Sequence, residues 1–412
     1  MTLTTAPDFS SAQFLGMAPF LRMSIAGVDF SSITQELIAQ AQNNPDAPVL
    51  WMNLATAMMS LKHEALGLQI QEQALAMQRV YHWPARQTPK LRLLMLMVPG
   101  NLSANIPLDC LLENSDIDLL YYYVDANSDN PLTAPIPEHD VVMVAIGASD
   151  EQENVLLRLA FALCGWPKPV LNPPKSVSTS ERHNASLLLQ NVPGLLICPA
   201  LHTSRQQLQA VAGGQKILAE IVEEHDFPII VRPVGSHGGH GLQKIDSAAE
   251  VALYLAQTEG EAFFVSRFVD YSGSDGLFRK MRVVLIDGKP YACHMGVSAH
   301  WMIHYVNAGM YEDADKRAQE ARFFNEFADF AERHRAALDA ISQRTGLHYI
   351  GIDCAETQDG KLLIFEIDPA MVVHAMDDDV MFPNKQVHML KVKNAMREML
   401  FQRAGKALDD KE

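Results

Sequence analysis

The chain lacks a basic surplus. Against 33 Lys and Arg stand 49 Asp and Glu, a formal net charge of −16 over 412 residues. Nonspecific nucleic-acid binding needs a basic surface, so that class is not expected. No run approaches the ~18 apolar residues of a membrane span. Residues 1–12 carry neither the basic region nor the apolar core of a secretory signal, and a cytoplasmic protein is expected. Cysteine is sparse: Cys110, Cys164, Cys198, Cys293 and Cys354 show no metal-ligand spacing. Each sits in an apolar run and reads as a buried free thiol in a reducing compartment. Gly100 stands alone after the first predicted strand of its region, with no Gly-x-Gly-x-x-Gly, which argues against a dinucleotide site.

What is present describes an ordinary globular protein of two to four domains, 48% hydrophobic and 20% charged. Apolar periodicity predicts helices over Ile33–Gln42, Ala47–Ser60 and Glu64–Tyr81. Trp51, Leu54, Ala65, Gly67 and Ala74 faintly resemble one tetratricopeptide-type helix pair, which cannot bury its face alone. Residues 90–180 alternate strand and helix, with strands over 91–98, 117–124 and 140–146 and helices from Leu108 and over Glu153–Cys164. A further helix is predicted over Gln206–Glu224. The fold class is α/β.

The most chemically specific stretch runs from Tyr349 to Pro369. Two β-type runs flank Asp359-Gly360, a strong hairpin signal. A two-residue turn there sets Gln358 opposite Lys361 and, counting outward, Asp353 opposite Glu366. Glu366 and Asp368 share a face by strand alternation, and Gly351 opposite Asp368 adds no bulk. Opposed like charges destabilise a sheet, so a positive group is expected between them. Oxygen-only ligands suit Mg²⁺ or Mn²⁺. The plain alternative is a solvated face with unrelated acids.

This hairpin resembles the metal-binding signature of the ATP-grasp family, with Glu366-Ile-Asp368-Pro369 where the family carries Glu-x-Asn-Pro. Upstream, Phe227 to Leu242 resembles the family's basic residue followed by a glycine loop. A buried strand delivers Arg232, where Lys is common, and Ser236, Gly238, Gly239 and Gly241 bring backbone N–H groups to phosphate. The strand Ala262–Asp270 resembles the segment whose backbone meets adenine, at Ser266, Arg267 and Phe268. Arg282 matches an arginine that meets phosphate or a substrate carboxylate. Arg279, of opposite strand parity, reads as a surface charge. Arg182, opening a helix after the Pro169 strand, is the nearest match to a further phosphate-facing cation.

The helical pattern reads as an N-terminal domain (1–89); the resemblance, strongest over about 165–405 and weaker from about 90, implies a Rossmann-like pre-ATP-grasp domain (90–180) and an ATP-grasp module (181–405, lobes about 181–262 and 263–405), followed by a polar tail over 406–412. Lys385 and Lys391 read as surface charges on a terminal helix. The implied activity is ATP-dependent ligation of a small-molecule or peptide carboxylate to an amine, with ATP and Mg²⁺ (or Mn²⁺). Asp353, Glu366 and Asp368 would hold the metal, and Arg232 and Arg282 would offset phosphate charge. The segment 294–311, dense in His and aromatics, is expected on the acceptor side, with His294, His304 and His374 as substrate contacts. A phosphotransferase or a non-catalytic nucleotide-binding scaffold are the alternatives. A homo-oligomer is compatible with the sequence.

Overall fold

The computed structural model describes residues 13–222, 226–236 and 239–408. They fall into two compact units: Met1–Ser178 with Gly346–Ile350 and Asp368–Glu412, and Thr179–Thr345 with Gly351–Ile367.

The first unit opens with helices Ala18–Ile25, Ser31–Asn43, Pro48–Ser60 and Glu64–Met77. The last two lie close together because Gly67 permits it. A Cβ there would stand 2.5 Å from Met59 Cγ and 3.0 Å from the Ala55 carbonyl oxygen. The helix expected to reach Tyr81 stops at Met77, and Val80–Trp83 forms a strand, β1, with Tyr81 fully buried. The β-branched and aromatic residues of that run favour a half-buried sheet over a helix turn.

Strands β2 (Leu91–Met97), β3 (Ile117–Tyr123), β4 (Val141–Val144) and β5 (Val170–Leu171) join β1 in the order β1-β3-β2-β4-β5. All pairings but β1–β3 are parallel. The central strands are buried along nearly their whole length, which is why they read as unbroken apolar runs. The C-terminal helix Lys385–Ala404 is fastened through Arg397, whose Nε and Nη2 donate to Asp116 at 2.8 and 2.6 Å. Lys385 is not a surface charge: it is 4% exposed and lies 2.8 Å from the buried Asp377 carboxylate. Lys391 is exposed as expected. Three thiols, Cys110, Cys293 and Cys354, are buried, but Cys164 is exposed and Cys198 half-buried; these two lie just past the ends of the helix Glu153–Ala162 and of the strand Leu195–Ile197.

In the second unit, β6 (Leu195–Ile197) precedes an antiparallel sheet of β7 (Leu201–Ser204), β8 (Ile229–Pro233), β9 (Gln243–Ile245) and β10 (Ala262–Arg267), ordered β7-β10-β8-β9. Leu208, Val211, Val251 and Tyr254 from two helices pack on Ile229, Val231, Phe263 and Val265 of this sheet. The helix expected over Gln206–Glu224 is Arg205–Ala212, ended by Gly213-Gly214.

The third sheet contains β11 (Phe278–Ile286), β12 (Lys289–Ser298), β13 (Tyr349–Glu356) and β14 (Leu362–Asp368), ordered β12-β11-β13-β14-β6. Asp287 and Gly288, at φ 49° and 77°, form a two-residue turn between β11 and β12, pairing Ile286 with Lys289.

The β13–β14 turn differs from expectation. Thr357 N–H donates to Lys361 O and Gly360 N–H to Thr357 O, both at 2.9 Å, with Gly360 at φ 79°. The loop therefore has three residues, and Thr357, not Gln358, faces Lys361. A turn followed by a left-handed glycine inserts one extra residue. The Thr357 hydroxyl fixes it by accepting from Lys361 N–H at 2.9 Å. The expected pairing of Gln358 with Lys361 is thus replaced at the turn. Lys280 of β11 lies 2.7 Å from Asp353 Oδ2 and 5.9 Å from the Phe365 ring centre.

Candidate active site

Strand β8 ends in Arg232, which is 8% exposed. Its Nε donates to Ser236 Oγ at 3.1 Å, and its Nη2 to the Ser236 carbonyl. Both acceptors are neutral. Burial pushes the Arg232 ionisation down to about 10, helped by the nearby Arg182 charge, so the guanidinium remains cationic at neutral pH. A buried cation satisfied only by neutral oxygens is suited to receive an anion.

The chain then turns through Gly235, Gly239 and Gly241, all at positive φ. Gly241 lies so close to Pro233 that a Cβ would come within 2.7 Å of its ring. The Tyr254 hydroxyl holds the Gly241 carbonyl at 2.8 Å. Gly238 lies outside the described residues.

Strand β11 supplies two cations on one face. Arg282 forks onto Asp353, Nε to Oδ1 at 2.8 Å and Nη2 to Oδ2 at 3.1 Å, while Lys280 Nζ reaches Oδ2 at 2.7 Å. Asp353 is 3% exposed. Burial alone would raise its ionisation, but Arg282 and Lys280 outweigh burial and hold it well below the usual carboxylate range. The reciprocal effect overcomes burial at Arg282 and raises its ionisation above normal. Arg279, on the other face as parity requires, pairs with Asp275 and Gln319.

Arg182 is the first residue of the helix Arg182–Leu188, capped by the Glu181 carboxylate, and it pairs with Glu366. Asp353 and Glu366 share this basic cluster, and the charges of both reach Arg282 and His304. As hard oxygen donors, Asp353 and Glu366 fit a divalent cation such as Mg²⁺. Asp368 closes β14 and accepts from Ala370 N–H at 2.8 Å.

The segment after β12 is held in place by Glu320, 2% exposed, which accepts from Met295 N–H at 3.0 Å and from the Tyr305 hydroxyl at 2.9 Å. Tyr305 lies against the His294 ring, with centres 4.8 Å apart. This framework delivers His304 to the glycine loop, its imidazole occupying the place a side chain on Gly239 would take. Its Nε2 is buried and without a hydrogen-bond partner among the described residues. Burial, then the Lys280 charge, lowers its ionisation and favours the neutral ring. His304 thus meets the glycine loop. His374 belongs to the other unit, where its Nδ1 accepts from Met376 N–H at 3.2 Å.

Ser266 and Arg267 pair with Ile230 and Ile229 of β8, and Phe268 N–H donates to Pro228 O at 3.1 Å. The β7 ladder ends at Val265, so Ser266 and Arg267 extend beyond it. Lys244 stands 5.0 Å over the Phe268 ring. Sequence reasoning did not single out Lys280 as a site residue, although it shares strand parity with Arg282, the signal that would have found it.

These features define a mixed α/β protein with a cation-rich, glycine-lined site. No family model matches the chain, and no curated protein matches it. Among solved structures, the chain is similar to a D-Ala:D-Ser ligase, VanG, of Enterococcus faecalis (14% identity, TM-score 0.45, 77% of this chain and 100% of that one). It is also similar to D-alanyl-alanine synthetase A of Vibrio cholerae (16%, TM-score 0.46, 78% and 100%) and to a RimK-domain ATP-grasp protein of Sphaerobacter thermophilus (15%, TM-score 0.42, 75% and 99%). No helix among the described residues is long and apolar enough to cross a membrane.

Proposed function

We propose that this chain is an ATP-dependent ligase that activates a carboxylate as an acyl phosphate and joins it to an amine. The observation that carries the reading is Arg232, a buried cation without a carboxylate partner among the described residues, placed directly before a glycine loop. Arg232, Arg182, Ser236 and the loop glycines 238, 239 and 241 bind the phosphates. Ser266, Arg267 and Phe268 border the base.

The carboxylate oxygen attacks the γ-phosphorus, the bond to the β-phosphate oxygen breaks, and ADP leaves. The amine nitrogen then attacks the acyl carbon, the carbon–oxygen bond to phosphate breaks, and the nitrogen gives up its proton. Such chemistry asks for positioning and charge compensation and needs no enzyme nucleophile. Arg282 and Arg232 offset the charge that builds on the transferred group. A divalent ion held by Asp353 and Glu366 would neutralise phosphate oxygens. His294 borders the acceptor, a small molecule or peptide, in a cytoplasmic protein.

Incubation with ATP, Mg²⁺ and pooled carboxylates and amines, read by mass spectrometry, tests the reading. A mass equal to the two substrates less water supports ligation. A phosphorylated acceptor in its place, or no nucleotide turnover with any pool, would overturn it.

A further inference from the structure

We propose that Lys280 is an additional phosphate-binding cation of this site and that, before nucleotide arrives, it closes Asp353 to metal. The inference rests on the ATP-dependent reading above and adds an order to it: the divalent ion enters with the nucleotide, not ahead of it.

Both oxygens of Asp353 are engaged, by the Arg282 fork and by Lys280. A metal ligated by Asp353 must take an oxygen from one of these cations. Arg282 makes two hydrogen bonds to that carboxylate in a fixed plane. Lys280 makes one contact to that carboxylate, from a flexible stem that is 20% exposed. An ammonium on such a stem is the easier group to move.

The charges around it decide when it moves. Arg182, Arg232, Lys280 and Arg282 are four cations around two carboxylates, Asp353 and Glu366. A bare divalent ion would add charge to a positive surplus and leave a partly buried ammonium unpaired, which is unfavourable on both counts. A metal–triphosphate complex brings its own anion. Lys280 then exchanges a carboxylate oxygen for a phosphate oxygen, and its path lies beside the Phe365 ring, 5.9 Å away.

The test is Mn²⁺ binding followed by electron paramagnetic resonance, with and without a non-hydrolysable ATP analogue. Wild-type protein should bind Mn²⁺ only with the analogue. Lys280→Met should bind Mn²⁺ alone about tenfold or more tightly than wild type, since the competing charge is gone, and should bind the analogue more weakly. These opposite signs are not what a merely structural lysine would produce. Lys280→Arg should keep Asp353 closed, and adding Asp353→Asn to Lys280→Met should erase the gained Mn²⁺ site. Equal Mn²⁺ binding by wild type and Lys280→Met, or unchanged analogue affinity in Lys280→Met, would overturn the proposal while leaving the ATP reading intact. Failure of wild-type protein to bind the analogue at all would overturn both.

Discussion

The imidazole of His304 fills the space that Gly239 leaves by having no side chain, joining the glycine loop to the segment that follows β12. Gly239 also stands at φ 76°, where a side chain costs about 1–2 kcal/mol. Gly239→Ala would meet both penalties, the backbone strain and the collision with Nε2. Affinity for a non-hydrolysable ATP analogue should fall about tenfold or more in calorimetry, with native circular dichroism. Wild-type affinity would show that the contact plays no part in binding.

The same contact predicts the side on which His304 acts. His304→Ala should weaken analogue binding severalfold, because an unpartnered, buried Nε2 beside the glycine loop is lost. Unchanged analogue affinity together with a raised KM for the carboxylate or amine would return the residue to the acceptor side.

The two acids of the site differ in what their loss does. Glu366→Gln should abolish turnover and leave the fold intact, since its partner Arg182 is itself partly exposed. Asp353→Asn should also unsettle the fold, by about 3–5 kcal/mol, because it strands Arg282 and Lys280 without their shared carboxylate. Urea midpoints measured beside activity separate the two effects. Full activity in Glu366→Gln would remove that residue from the site.

Acid should loosen the first unit through Asp116. Burial opposes its charge, but Arg397 more than offsets burial and lowers its ionisation below the unfolded value. Stability from this pair is therefore complete above the unfolded carboxylate range, near pH 4, and is lost as pH falls below it. Arg397→Met should reduce stability at neutral pH and flatten its fall in acid. An unaltered acid limb in that variant would contradict the assignment.

Much of this site was legible because strand parity is a strong rule. It separated Arg279, which pairs with Asp275 and Gln319, from Arg282, which forks onto Asp353. The same rule, applied one residue further, marks Lys280. The length of the β13–β14 turn was not legible, because the choice between a two-residue and a three-residue loop rests on the Thr357 hydroxyl and the left-handed Gly360. Nor was the burial of Lys385, which depends on Asp377 covering it in the folded chain. Composition near Tyr81 continued the helical pattern, and pairing with β3 overrode it.

The most direct test of the ligase account is the nucleotide balance during product formation. ATP, Mg²⁺ and an active carboxylate–amine pair should yield ADP, phosphate and amide in equal amounts, resolved by ion-exchange chromatography and mass spectrometry. AMP and pyrophosphate appearing in step with the amide would contradict activation through an acyl phosphate.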